Sequence, residues 1–119
     1  MGRVNFIDHK GRKILVIDLS NLKAEQAVTE SQEAQRIIAT QPLNSLLTLT
    51  NISNSEFTSN VTGAMKKYTA HNKPYVKAAA IVGADGLRKA LVYVVAAFSG
   101  RDLRPFDKME DAKDWLAKL

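Results

Sequence analysis

The chain has 119 residues, 45% hydrophobic and 24% charged, with 17 basic against 12 acidic side chains and a formal charge of +5. That length suits one domain with a core of its own, and the composition excludes wholesale disorder. With no cysteine, disulfides, cysteine-ligated metals and thiol catalysis are excluded, and a reducing compartment is expected.

The elements follow in order. Val4 to Ile7 and Ile14 to Asp18 are β-prone runs, which predicts a hairpin closed by Asp8 to Arg12, with Gly11 giving the turn its freedom. Ile14-Leu15-Val16-Ile17 is continuously apolar, as in a strand covered on both faces. A first helix is expected from about Ala24 to Thr40, with Ala27, Ala34, Ile37 and Ile38 near one face, stopped by Pro42. Leu46 to Thr50 reads as the next strand. A second helix starts between Ser55 and Ser59, runs to about His71 and points Phe57, Val61, Met65 and Tyr68 inward. Tyr75 to Val82 reads as a strand whose Ala78-Ala79-Ala80 patch lets a helix pack close.

After Gly83-Ala84-Asp85-Gly86 a third helix is expected. It places Leu87, Ala90, Leu91, Val94, Val95 and Phe98 at helical spacing, as a buried helix, with Gly100 as C-cap. Asp102 to Phe106 is a short strand. Asp107 to Glu110 has the spacing of a capping box, and the last helix shows Ala112, Trp115, Leu116 and Leu119 on one face. The order is ββαβαβαβα: an α/β domain over residues 1–119, with a mixed, mostly parallel sheet of about five strands, four helices and one antiparallel strand from the hairpin. The N-terminus lacks the apolar core of a signal peptide. No apolar run approaches the roughly 20 residues of a membrane span. A cytoplasmic protein is expected.

Four segments carry a family likeness: Lys13 to Asp18, Leu46 to Asn51, His71-Asn72-Lys73-Pro74, and Phe106 through Leu116. Together with the element order, they resemble the STAS fold of anti-sigma factor antagonists such as SpoIIAA, and more closely the SpoIIAA-like STAS/SEC14 family. The resemblance implies a non-enzymatic signalling regulator that acts through protein–protein contacts at the second helix and its preceding Ser/Thr-rich loop. It also implies a phosphoacceptor at the start of that helix, where the family carries an Asp-Ser-(Ser/Ala/Thr)-Gly word. Here the stretch reads Ser55-Glu56-Phe57-Thr58-Ser59-Asn60, so Thr58 and Ser59 are the nearest equivalents.

The residues themselves offer three candidate regions. Thr58 and Ser59 sit at a helix start, where free amides and the dipole favour a phosphate; a plain N-cap is the alternative. Asn51, Ser53 and Ser55 are expected on the same sheet edge as Gly83, Asp85, Gly86, Arg88 and Lys89. There, cations opposing a helix dipole would make sense beside a bound anion, lipid or nucleotide. The plain alternative is a tight turn with surface charges. Ser59, Gly63, Lys66 and Lys67 form a small, basic stripe on the second helix, suited to a partner or to solvent. The expected partner is a protein, a kinase or other regulator. A small ligand is the rival reading, and a homodimer is also compatible. Dispersed basic residues without interleaved aromatics argue against nucleic acid. His9 and His71 read as surface residues without ligands at metal spacing. Asp18 and Asp85 make no acid–base pair with a nucleophile. No catalytic residue, metal or cofactor is expected.

Overall fold

The computed structural model describes residues 2–56 and 59–119. Its elements are β1 (Val4–His9), β2 (Arg12–Asp18), α1 (Ala24–Ile38), β3 (Leu46–Asn51), α2 (Ser59–Asn72), β4 (Val76–Val82), α3 (Gly86–Ser99), β5 (Leu103–Phe106) and α4 (Met109–Ala117). They match the expected ββαβαβαβα order. The sheet runs β1-β2-β3-β4-β5, with β1 antiparallel to β2 and every other pairing parallel.

The hairpin is tighter than its sequence suggested. β1 and β2 pair as far as His9 opposite Arg12, leaving only Lys10 and Gly11 in the turn. Both have positive φ, 51° and 81°, as a two-residue turn that follows the strand twist requires. At the other end of the chain, the N-cap of α4 is Lys108 rather than Asp107, and no side chain caps it. The acids of its first turn, Glu110 and Asp111, supply favourable dipole charge instead. Gly100 closes α3 in the left-handed conformation at φ 66°, with the Arg101 amide donating to the Ala96 carbonyl at 3.0 Å. This is the six-to-one bond of a Schellman ending.

Because the parallel strands advance in one direction, right-handed crossovers put α1, α2 and α3 on a single face. The core divides accordingly. Leu15, Ile17, Ala79, Ile81 and Leu103 pack under Ala27, Ala34 and Ile38 of α1, Met65 and Tyr68 of α2, and Val92 and Val95 of α3. The alternate residues Ile14, Leu47, Leu49, Ala80 and Val82 pack against Ala112 and Leu116 of α4 on the other face. Ala78 and Ala80 belong to that second face, so the alanine patch does admit a helix, and the helix is α4. Trp115 also lies there, its ring 5.6 Å from that of Phe106, with the Arg104 guanidinium 5.1 Å from it.

One expected core stripe is observed only in part, with Val95 inward as expected. Among the described side chains of α3 the buried ones are Val92 and Val95, whereas Leu87 is 69% exposed and Ala90, Tyr93 and Val94 also face solvent; the Phe98 side chain lies outside the described residues. α3 is apolar nearly all round, so periodicity alone does not select its inner face. Its place over the edge strand β5 leaves the other side uncovered. Among the described residues no helix is long and apolar enough to cross a membrane.

Two glycines behave oppositely. Gly83 has φ 87°, and a Cβ there would lie 2.2 Å from Ser53 Oγ and 2.6 Å from the Ser53 backbone. Gly63 has nothing within 4 Å of a built Cβ. Gly83→Ala is expected to lower folding stability by about 2 kcal/mol or more, through strain and collision. Gly63→Ala should raise it by about 0.5–1 kcal/mol through helix propensity. Urea unfolding of the two variants checks both signs.

Candidate functional site

The exits of β2, β3 and β4 meet on one rim. Asp18 pairs with Asn51, and Asn51 with Val82, so three strands end level. Their loops are laced through the backbone. The Leu19 amide donates to the Asn51 carbonyl at 2.8 Å, Asn21 to Ser53 at 2.9 Å, Ile52 to Val82 at 2.8 Å and Glu56 to Leu22 at 2.9 Å. Asn21 and Asn54 adopt φ near 60°, a conformation asparagine tolerates better than most residues. Asn51 Oδ1 accepts the Ser53 amide at 3.0 Å. Glu56 reaches across to accept the Ala24 amide at 3.3 Å, placing a carboxylate at the α1 N-terminus where the dipole favours it.

The structure therefore brings Asn51, Ser53 and Ser55 beside Gly83, Asp85, Gly86, Arg88 and Lys89, on one edge as the sequence suggested. Their availability differs. Ser55 is buried, its hydroxyl without a hydrogen-bond partner among the described residues. Ser53 packs against Gly83. Arg88 is turned back on its own helix start: Nε donates to the Gly83 carbonyl at 3.2 Å and the guanidinium pairs with Asp85. The cation thus neutralises the turn rather than offering itself to an anion. Lys89 is exposed. On α2, Gly63 and Lys67 are exposed and Lys66 is half-buried. Ser59 opens α2. Thr58 lies outside the described residues, as do Phe57 and the Ser59 side chain.

Sequence reading missed two constellations, because each joins positions far apart in the chain. His9, read as a lone surface residue, is only 17% exposed at its side chain; its Nε2 lies 2.8 Å from Asp114 Oδ1. Glu110 completes a group whose ligand atoms lie within 4.8 Å of one another. Lys10 Nζ sits 2.9 Å from the same Asp114 oxygen, so an ammonium already serves the carboxylate a cation would need. The arrangement ties the hairpin turn to α4. His9 and Lys10 hold the Asp114 carboxyl below the usual range by hydrogen bonding.

The second constellation is a cavity of about 50 Å³ between the sheet and the α2–α3 layer. Thr48, Thr50, Tyr68, Thr69, Asn72 and Arg101 give it a polar side, and the rest of its wall is apolar. The Tyr68 hydroxyl is buried with no hydrogen-bond partner among the described residues. Burial pushes it up to about 12; Asn72 and the Arg101 charge, close by, offset this only in part. Burial also lowers Arg101 from the usual guanidinium value. Among the described residues its side chain donates from Nη1 to the Thr69 carbonyl at 3.4 Å, near the α2 C-terminus, where a cation suits the dipole.

A scan against protein-family models, a search of curated proteins and a search of solved structures each found no match to this chain.

Two pH responses follow. Tyr68 ionises at 10.0 when unperturbed and near 12 when folded, so the folded state holds its proton longer than the unfolded one. Stability should be intact below pH 10 and decline by roughly 2–3 kcal/mol as pH rises to 12. Tyr68→Phe should flatten that decline in urea midpoints measured across the range. Asp114 behaves in the opposite sense. Its depressed value means a contribution present above the ordinary aspartate range of about 3.9 and lost as pH falls through the folded value. Acid unfolding of Asp114→Asn should begin from lower stability at neutral pH and converge with the unmodified chain at the acid end.

Proposed function

We propose that this chain is a non-enzymatic regulatory interaction domain, of the kind its resemblance to anti-sigma factor antagonists implies, and that it binds a protein partner through the strand-exit rim and the adjoining α2 and α3. The observation that carries the proposal is the 69% exposed Leu87 in the first turn of α3, directly after the Gly83–Asp85 turn. A large apolar side chain on a polar rim is costly in water and useful in a contact. The exposed Tyr93 and Val94 continue the apolar surface along α3. Lys67 and Lys89 are exposed on α2 and α3, so the fitting partner surface is apolar with acidic residues at its edge.

The form of the rim also favours a macromolecule over a small ligand there. Ligands of open α/β sheets usually enter where the strand order reverses and adjacent loops splay apart. Here the order never reverses, and the loops are sealed by Ser53 on Gly83 and by Arg88 on Asp85. A phosphate on Thr58 or Ser59 would add up to two negative charges at the start of α2 and switch the affinity of such a partner.

The test begins with the partner identified by mass spectrometry after purification from the native host, with phosphosite mapping of Thr58 and Ser59. Leu87→Asp and Lys67→Glu are each expected to weaken that partner's binding by tenfold or more, about 1.4 kcal/mol. Their urea midpoints should stay within about 0.5 kcal/mol of the parent, as for other surface changes. Undiminished affinity in both variants would sink the proposal. So would a Leu87-dependent homodimer with no other partner, seen by sedimentation.

A further inference from the structure

Tyr68 and Asn72 stand four residues apart on α2 and so share a face. Arg101 follows the Gly100 cap of α3 directly, and that left-handed ending turns the chain back toward the sheet. These local features bring three hydrogen-bond donors to one corner of the interior cavity, at the end of the parallel strands opposite the rim. The donors outnumber what the protein gives them. A guanidinium carries five N–H groups, and the side chain of Arg101 spends one on the Thr69 carbonyl. The Tyr68 hydroxyl, in a residue only 9% exposed, lies close to the Asn72 side chain but forms no well-aligned hydrogen bond among the described residues. The Asn72 oxygen is engaged by His71 Nδ1 at 3.1 Å, so its amide nitrogen is the group that faces the Tyr68 oxygen, and the Tyr68 O–H remains to donate elsewhere. Among the described residues, no carboxylate lies within ion-pair distance of Arg101.

We propose that this cavity is a binding site for a small monocarboxylate of acetate to propionate size. An ionised carboxylate is acceptor-only and takes a guanidinium edge-on through two parallel bonds. One such group satisfies the Tyr68 hydroxyl and neutralises Arg101, a partly buried charge with no counter-ion among the described residues. The stoichiometry is one cation to one anion; a phosphate dianion would bring a second charge that nothing in the cavity answers. The size agrees. The volume of about 50 Å³ exceeds the roughly 10–15 Å³ that admits one water in this measure and is well short of the roughly 150 Å³ that accommodates benzene. Ile17, Ile38, Val92, Val95 and Leu103 line the rest, where one or two aliphatic carbons fit.

Leu19 and Ile52 of the rim also line the cavity, but its donor corner lies at the far end of the strands and carboxylate binding is read without the partner, so the two proposals can fail separately. The full chain, ¹⁵N-labelled, is titrated with sodium acetate and sodium propionate to about 50 mM, far above a millimolar Kd, against sodium chloride and sodium phosphate at matched ionic strength. The expected result is a saturable shift of the Tyr68, Thr69, Asn72, Val95 and Arg101 amides with a carboxylate alone. Tyr68→Phe should weaken Kd about tenfold, and Arg101→Gln should abolish the saturable response. Where Arg101→Gln does not fold, Tyr68→Phe decides, since it keeps the ring and removes only the orphan hydroxyl. A cavity that holds only water gives no saturable shift, and that result overturns the proposal. An equal response to chloride or phosphate does so as well, as does an unchanged Kd in Tyr68→Phe.

Discussion

Strand β3 runs through the middle of the sheet with both faces covered, so its alternate side chains must serve two different cores at once. Leu47 and Leu49 pack toward α4, while Leu46 faces the α1–α3 layer. A register slip of one residue would exchange the two sets. Parallel pairing fixes that register, with Leu47 opposite both Ile14 and Ala78, and Leu49 opposite Val16 and Ala80. The small residues of β4 then let α4 come close, through Ala112, on one side. On the other side Thr48 and Thr50 line the cavity, where aliphatic residues would have made a wholly apolar wall. The polar interior is thus a consequence of what β3 presents to its helical face.

The same one-way advance of strands shapes both surfaces of functional interest. It aligns the strand exits on one rim and the helix C-termini at the opposite end. With no reversal in strand order, the rim closes over itself and becomes a surface. At the opposite end, the last turn of α2 and the cap of α3 converge over β4 and β5, and there the donors gather inside. A flat rim suits contact with another protein. A partly buried corner with unmatched donors suits a small anion. One topology separates the two roles by the length of the sheet.

Much of this was legible from local chemistry. The element order follows from apolar periodicity punctuated by Gly11, Pro42, Pro74 and Gly100. The meeting of Asn51 to Ser55 with Gly83 to Lys89 follows from parallel strands, since consecutive exits must share an edge. The state of those residues was not legible. Whether Arg88 reaches outward or folds back onto Asp85 depends on turn geometry. Whether Ser55 is a surface hydroxyl or a buried one depends on how the loop crosses toward α1. In α3, an apolar helix with several equivalent stripes, only the position of β5 decides that Val92 and Val95 go inward and Leu87 and Val94 do not.

Sequence alone set the α/β class, the strand and helix order and the left-handed glycines, because each depends on residues within a few positions of one another, and from that order the placement of the loops on a common edge follows by parallel topology. Tertiary structure alone decided the pairing of His9 with Asp114, the company of Tyr68 and Arg101, and the exposed face of α3. The first two join groups about 30 to 105 residues apart along the chain, and the third depends on which side of α3 the sheet covers; packing decides all three.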